Sequence, residues 1–292
     1  IQMPRLQKRS PHSRRSQPQG TQAMPDGHFS GDAHRPLLLV ALGRQRVGKT
    51  ALLNTIVQYY RGLGSEIEVW NADQQNRTHS LSTFFPDADC PVGTNLSDSR
   101  EWIEGKLRDQ AERRYHAVLD AGGGFTGFTS LVEDVPVIDF LSAHGIDVIG
   151  LFCVGPEKAD LDYLDSFAQT KAFMPKATMI VMNAGLVLSG RTPEPVFMPI
   201  MAHPTFKDAM SRGAKVAMFP SLTCMSAVTD RGLTFKDAAE GKLKPGQEPM
   251  SFFDPPRVRE WWTKKVPIFF KLFPPGWLPA PQAAVAATAD KA

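Results

Sequence analysis

The sequence predicts an α/β domain built on a mostly parallel β-sheet with helices on both faces. Three observations lead there. Short apolar runs of strand length alternate with stretches of helical periodicity along most of the chain. Those runs are continuously apolar, as strands covered on both faces are. Most of them also end on a glycine or a small polar residue, at the carboxyl edge where open α/β sheets gather their ligands. The chain has 292 residues, 42% of them hydrophobic, which is enough apolar surface to cover such a sheet.

Leu37-Leu38-Leu39-Val40-Ala41-Leu42 reads as a buried strand that runs into Gly43. From Lys49, the residues Ala51, Leu52, Leu53, Ile56, Val57 and Tyr60 keep helical spacing, with Gly62 and Gly64 as C-cap candidates. Ile67-Glu68-Val69-Trp70 is a second strand, followed by Asn71-Ala72-Asp73. The spacing predicts a helix over 99–115, with Trp102, Ile103, Leu107 and Ala111 on one face. His116-Ala117-Val118-Leu119 is a third strand, ended by Asp120, and residues 131–143 form the next helix. A strand over 146–154 precedes a helix opened by Pro156. Thr178-Met179-Ile180-Val181-Met182 ends at Asn183, and a strand over 214–219 ends at Pro220. No internal repeat is visible.

Composition narrows the function classes. A net charge of +3 does not by itself indicate nucleic acid or an anionic membrane. Cys90, Cys153 and Cys224 are far apart and form no C-x-x-C, which argues against a disulfide framework or a zinc site. His79, His116, His144 and His203 lack metal-ligand spacing and read as surface or helix-end residues. No apolar run reaches the length of a membrane-spanning helix, and residues 1–31 carry no signal-type apolar stretch. Reduced thiols and these absences point to a cytoplasmic protein. Three regions follow: a disordered basic leader over 1–35, with Met3 and Met24 as candidate starts; a nucleotide-binding domain over 36–247; and an aromatic, Pro-rich extension over 248–292.

The chemistry concentrates at one motif. Gly43-Arg44-Gln45-Arg46-Val47-Gly48-Lys49-Thr50, followed by Ala51, matches G-x-x-x-x-G-K-[ST] between a strand and a helix. Such a loop wraps phosphates in backbone N–H groups at a helix N-terminus. Lys49 is the phosphate lysine, and Thr50 carries the hydroxyl for Mg²⁺. The site also needs a strand-end carboxylate near the metal, for which Asp120 is the candidate, with a turn or cap role as its other reading. Behind it, Gly122-Gly123-Gly124 suits a loop that passes close to phosphate. Asp73 either orients the attacking water or belongs to an Asx-turn. The late strand ends Met182-Asn183-Ala184-Gly185, without the Lys and Asp of a guanine-type N-K-x-D. That favours adenine, with Asn183 toward the base and Pro220 closing the base side.

These residues resemble the ParA/MinD group of P-loop ATPases over roughly residues 37–242. The loop is similar to the group's K-G-G-x-G-K-[ST], and Trp70-Asn71-Ala72-Asp73-Gln74-Gln75-Asn76 to its D-x-D-P-Q-x-N. Val118-Leu119-Asp120-Ala121-Gly122 resembles its D-x-P switch strand, and Val181-Met182-Asn183 with Phe219-Pro220-Ser221-Leu222 its adenine-side strands. The resemblance implies an ATP- and Mg²⁺-dependent homodimer; in ParA-like members it implies nonspecific DNA binding, a ParB-like partner and a role in plasmid or chromosome partition or cargo positioning. It gives catalytic roles to Lys49, Asp73 and Arg44. The sequence departs from the pattern where the signature lysine becomes Arg44, two glycines become Gln45 and Arg46, and the first Asp becomes Asn71. Those departures point to slow hydrolysis, a nucleotide-dependent switch, or a scaffold that binds without turnover.

The extension has three readings. Trp261, Trp262, Phe269, Phe270 and Phe273 among Lys and Arg suit a MinD-like interfacial membrane anchor. They also suit an element packed on the domain, or a docking segment for a partner. Packing is favoured, because Pro267 is expected to interrupt a single helix and spoil a continuous amphipathic face. Arg5, Lys8, Arg9, Arg14 and Arg15 in the leader are either solvated or add salt-sensitive contacts to DNA or lipid.

Overall fold

A computed structural model describes residues 35–73, 80–93, 95–122, 126–170, 173 and 175–281. Its strands are β1 (Leu37–Leu42), β2 (Ile67–Asn71), β3 (His116–Asp120), β4 (Asp147–Val154), β5 (Ala177–Asn183) and β6 (Lys215–Phe219). They form one sheet in the order β2-β3-β1-β4-β5-β6, with every neighbouring pair parallel. The chain leaves β1, builds β3 and β2 on one side, and then β4 to β6 on the other. The carboxyl end of β1 is therefore the point where the winding reverses.

Helical segments make the crossovers: α1 (Lys49–Gly62), α2 (Leu81–Phe84), α3 (Leu96–Arg113), α4 (Thr126–Asp134), α5 (Val137–Ala143), α6 (Lys158–Thr170), α7 (Pro193–Ala202) and α8 (Pro204–Ser211). After β6 come α9 (Met225–Thr229), α10 (Phe235–Ala239), α11 (Asp254–Glu260), a π-helical turn (Trp261–Lys265) and α12 (Val266–Phe270). Two cores lie on opposite faces of the sheet. Leu37, Leu39 and Ala41 face a core shared with α1 and α9 to α12, while Leu38, Val40 and Leu42 face one shared with α3 to α8. That two-sided burial is why β1 is apolar at every position.

Several expectations change. The helix placed over 99–115 begins at Leu96, because the Asn95 side chain accepts from the Asp98 N–H and caps it. Its buried face is Ser99, Ile103, Leu107 and Gln110, with Trp102 and Ala111 at the margin. The helix placed over 131–143 is two helices, parted at Val135-Pro136, since proline lacks the N–H and keeps the preceding residue out of the α region. His144 and His203 do lie at helix ends. His116 is half-buried: it opens β3, and its Nδ1 accepts from the Leu37 N–H at 3.1 Å. The leader up to residue 34 and the tail from 282 lie outside the described residues, as does His79.

The C-terminal extension contributes to the core. Val258, Trp261, Val266, Phe269, Phe270, Phe273 and Trp277 are all buried in the α1 side of the interior. Pro267 does not interrupt the helix. The backbone stays in the right-handed helical region at Glu260, Trp261, Lys265, Val266 and Lys271. The π-helical turn just before Pro267 adds one residue, which makes room for a ring that has no N–H to offer. Among the described residues no helix is long and apolar enough to cross a membrane.

Candidate nucleotide-binding site

The loop over 43–48 links β1 to α1 at the reversal point of the sheet. Gly48 precedes α1 in a left-handed conformation, φ 94°, and, having no side chain, offers the helix no cap, which leaves its first N–H groups able to meet an anion. Both glycines are fixed by close approach. A Cβ on Gly43, φ 138°, would collide with the carbonyl oxygen of Cys153 in β4, and one on Gly48 would collide with Nδ2 of Asn183.

Lys49 is 7% exposed, and its Nζ donates to the carbonyls of Gly43 at 2.9 Å and Arg44 at 2.8 Å. The ammonium is thus held across the loop by its own backbone. Thr50 Oγ1 donates to Asp120 Oδ2 at 2.7 Å. Asp120 is fully buried at the end of β3. Burial pushes its carboxyl above the usual range; the Thr50 hydrogen bond and the Lys49 charge pull it back, and the Asp73 charge pushes it up. A carboxylate and a hydroxyl at this separation, beside a lysine, suit a hard cation that keeps most of its ligands from water and phosphate. Among the described residues there is no cluster of three or more His, Cys, Asp or Glu that would hold a metal by protein ligands alone.

Asp73 lies against the β3 end. A Cβ built on Gly122 would be 3.2 Å from its Cα and Cβ, and the Ala72 N–H donates to the Asp120 carbonyl at 3.0 Å. An Asx-turn is present, but its side chain is Asn71, whose Oδ1 accepts from the Asp73 N–H at 3.2 Å. Asn71 Nδ2 donates to Ser82 Oγ at 2.8 Å, so the buried amide uses both ends to set the backbone at Asp73. Gln74, Gln75, Asn76, Gly123 and Gly124 lie outside the described residues.

On the other side, Asn183 binds the loop itself. Its Nδ2 donates to the Val47 carbonyl at 2.9 Å, and its Oδ1 accepts from the Gly185 N–H at 2.9 Å. Arg44 turns away from Lys49: its Nη1 meets Glu157 at 3.1 Å and Asp160 at 3.0 Å. Those two carboxylates raise the arginine's pKa. Gln45 and Arg46 are exposed, Arg46 with φ 65°. Ala51 is half-buried in the first turn of α1. Pro220 follows β6, and its carbonyl accepts from Trp261 Nε1 at 2.9 Å.

The fold therefore gathers Gly43, Val47, Gly48, Lys49, Thr50, Asp73, Asp120 and Asn183 at the ends of four strands. It sets Arg44 on the rim and Pro220 at the end of β6. The sequence reading missed Asn71 as the organiser of Asp73, the acids Glu157 and Asp160, and Trp261. Only the first carried a signal, an Asx residue two before the acid.

A phosphate-type loop leaving the central strand of a parallel sheet, with a buried acid ending its neighbour, defines a P-loop NTPase fold. No protein-family model matches the chain, and no curated protein matches it. Among solved structures it is similar to the MinD cell division protein of Aquifex aeolicus, at 14% identity and TM-score 0.43, over 77% of this chain and 95% of that one. It is also similar to the signal recognition particle 54 kDa protein of Aeropyrum pernix K1 in complex with GDP, at 15% and 0.36, over 63% of this chain and 42% of that one. A third is the cell division protein FtsY of Thermotoga maritima, at 12% and 0.37, over 78% and 68%. Likeness this distant says nothing about ligand or partner.

Proposed function

We propose that the protein is a cytoplasmic, ATP-dependent switch that binds Mg·ATP, hydrolyses it slowly and uses the cycle to control self-association in ParA-like partition or cargo positioning. The observation that carries the reading is the Thr50–Asp120 hydrogen bond beside the loop-held Lys49. Thr50 and Asp120 would hold Mg²⁺, which would offset the triphosphate's charge. Lys49 would exchange its two backbone carbonyls for the β- and γ-phosphates, joined by N–H groups of the loop and of α1. Asp73, beside Gly122, would orient the attacking water. Residues 183–186 contain no acid to meet guanine's donors, which supports adenine. The homodimer, the ParB-like partner and the nonspecific DNA surface rest on the resemblance of the four strand-end segments. A membrane role is disfavoured, because Trp261, Phe269, Phe270 and Phe273 are interior.

One observation favours a second reading, a binding scaffold without turnover: Arg44 is already committed to Glu157 and Asp160. Sedimentation with ATP·Mg²⁺, with ADP and without nucleotide, run beside Lys49→Ala and a phosphate-release assay, separates them. The switch reading expects a dimer with ATP alone, in wild type alone, and turnover lost in the variant. ATP binding and dimerisation without any turnover would select the scaffold. Calorimetry showing no ATP binding by the wild-type protein would sink both.

A further inference from the structure

The C-terminal helix reaches the site through one hydrogen bond. Trp261 is 1% exposed and donates its indole N–H to the Pro220 carbonyl at 2.9 Å. Phe219, just before Pro220, pairs in register with Asn183, which holds Val47 of the phosphate-type loop. A continuous path of contacts thus runs from the loop, through Asn183 and Phe219-Pro220, to Trp261. The indole is wedged between Phe219, with centroids 6.0 Å apart and planes at 84°, and Phe235 at 4.9 Å.

The helix is built to put Trp261 there. In an unbroken α-helix, the buried positions Val258 and Trp261 would be followed by residue 265. Here Lys265 is exposed and Val266 is buried, five residues after Trp261. The π-helical turn that begins at Trp261 supplies the extra residue, so that Trp261, Val266, Phe269 and Phe270 all face inward. A π-turn is an uncommon conformation, and here it coincides with the residue that touches the turn after β6.

We propose that Trp261 is a positioning residue for the base of a bound nucleoside triphosphate. The claim rests on the nucleotide reading above. With phosphates at the loop, the β3 and β2 side is taken up by Thr50, Asp120 and Asp73. The base is left to the strand ends on the other side, β5 and β6. Trp261 bonds the β6 turn directly but meets the phosphate loop only through Phe219 and Asn183, so the shape of the base side depends more on the docked C-terminal helix than the phosphate side does.

The test is calorimetry on the full chain with ATP and with inorganic tripolyphosphate, which has no base. Two variants are compared with wild type: Trp261→Phe, and the residue replaced by benzothienylalanine, which keeps the bicyclic shape with sulfur in place of N–H. The second guards against a core defect in the first. A lost hydrogen bond predicts ATP affinity down by about three- to tenfold, with tripolyphosphate affinity unchanged. An unchanged ratio of the two affinities in the benzothienylalanine protein, whether both hold or both fall, overturns the proposal and leaves Trp261 a packing residue. Wild-type protein that binds neither ligand overturns the nucleotide reading itself, and this proposal with it.

Discussion

Replacing His116 by Asn tests how the site is mounted on its strands. His116 and Leu37 are the first residues of β3 and β1, whose far ends carry Asp120 and Gly43. The Nδ1 of His116 accepts the Leu37 N–H, so the ring must be unprotonated there, and burial holds its pKa down at about 4 against an ordinary 6.5. Between those values the unfolded chain binds a proton that the folded chain refuses. The contribution is therefore fully present above about pH 6.5 and is lost as pH falls toward 4. At pH 5.5 the unfolded imidazole is about nine-tenths protonated and the folded one hardly at all, a loss of about 1 kcal/mol, rising to about 3 kcal/mol below pH 4. An Asn oxygen can accept the same N–H and does not titrate. Urea unfolding at pH 7.5 and 5.5 should therefore show wild type losing about 1 kcal/mol more than His116→Asn, with the other titrations cancelling in the comparison. Equal losses in the two proteins would refute the account of His116 as a half-buried, neutral acceptor.

Two further outcomes follow from the site's contacts. Thr50→Val keeps the shape but removes the donor to fully buried Asp120, so the nucleotide-free protein should lose about 2 kcal/mol in urea unfolding. The same variant should lose the Mg²⁺-dependent gain in nucleotide affinity by calorimetry; unchanged stability would mean Asp120 does not depend on Thr50. Gly48→Ala forces a Cβ into left-handed backbone and into the Asn183 amide, with an expected cost of about 2–3 kcal/mol, and wild-type stability in that variant would rule out the clamp of Asn183 on Val47.

What could be read in advance is what lies close along the chain. Gly43 to Thr50, Asp120 and Asn183 were legible because each sits within a few residues of an apolar run, and a parallel sheet brings such ends to one edge. The partners of Arg44 were not legible. Glu157 and Asp160 stand more than a hundred residues away and arrive only because β4 pairs with β1. Trp261 was hidden for a different reason. The poor helical face that discouraged a single amphipathic helix is real, and it is the imprint of the five-residue step from Trp261 to Val266. The break at Pro136 was in plain view, and the apolar periodicity on both sides of it obscured it.

The missing loop glycines weigh less than the sequence alone suggests. Side chains are forbidden by close contact at Gly43 and Gly48, which are kept. Gln45 and Arg46 are exposed, and the left-handed backbone at Arg46 costs about 1–2 kcal/mol without closing the loop. Arg44 is the more consequential departure. It is tied to Asp160, whose carboxylate is 3% exposed and has one further hydrogen bond, from the Gly155 N–H at 2.8 Å. A guanidinium that crossed to a second copy would leave that carboxylate buried without its cation, which is costly even where each partner finds new contacts. Under the proposed nucleotide reading, a phosphate group would have to outcompete Glu157 and Asp160 together to draw Arg44 away. If the proposed dimer forms, reach across it and the cis anchorage would be mutually exclusive states of one side chain, because Nη1 of Arg44 already meets both Glu157 and Asp160.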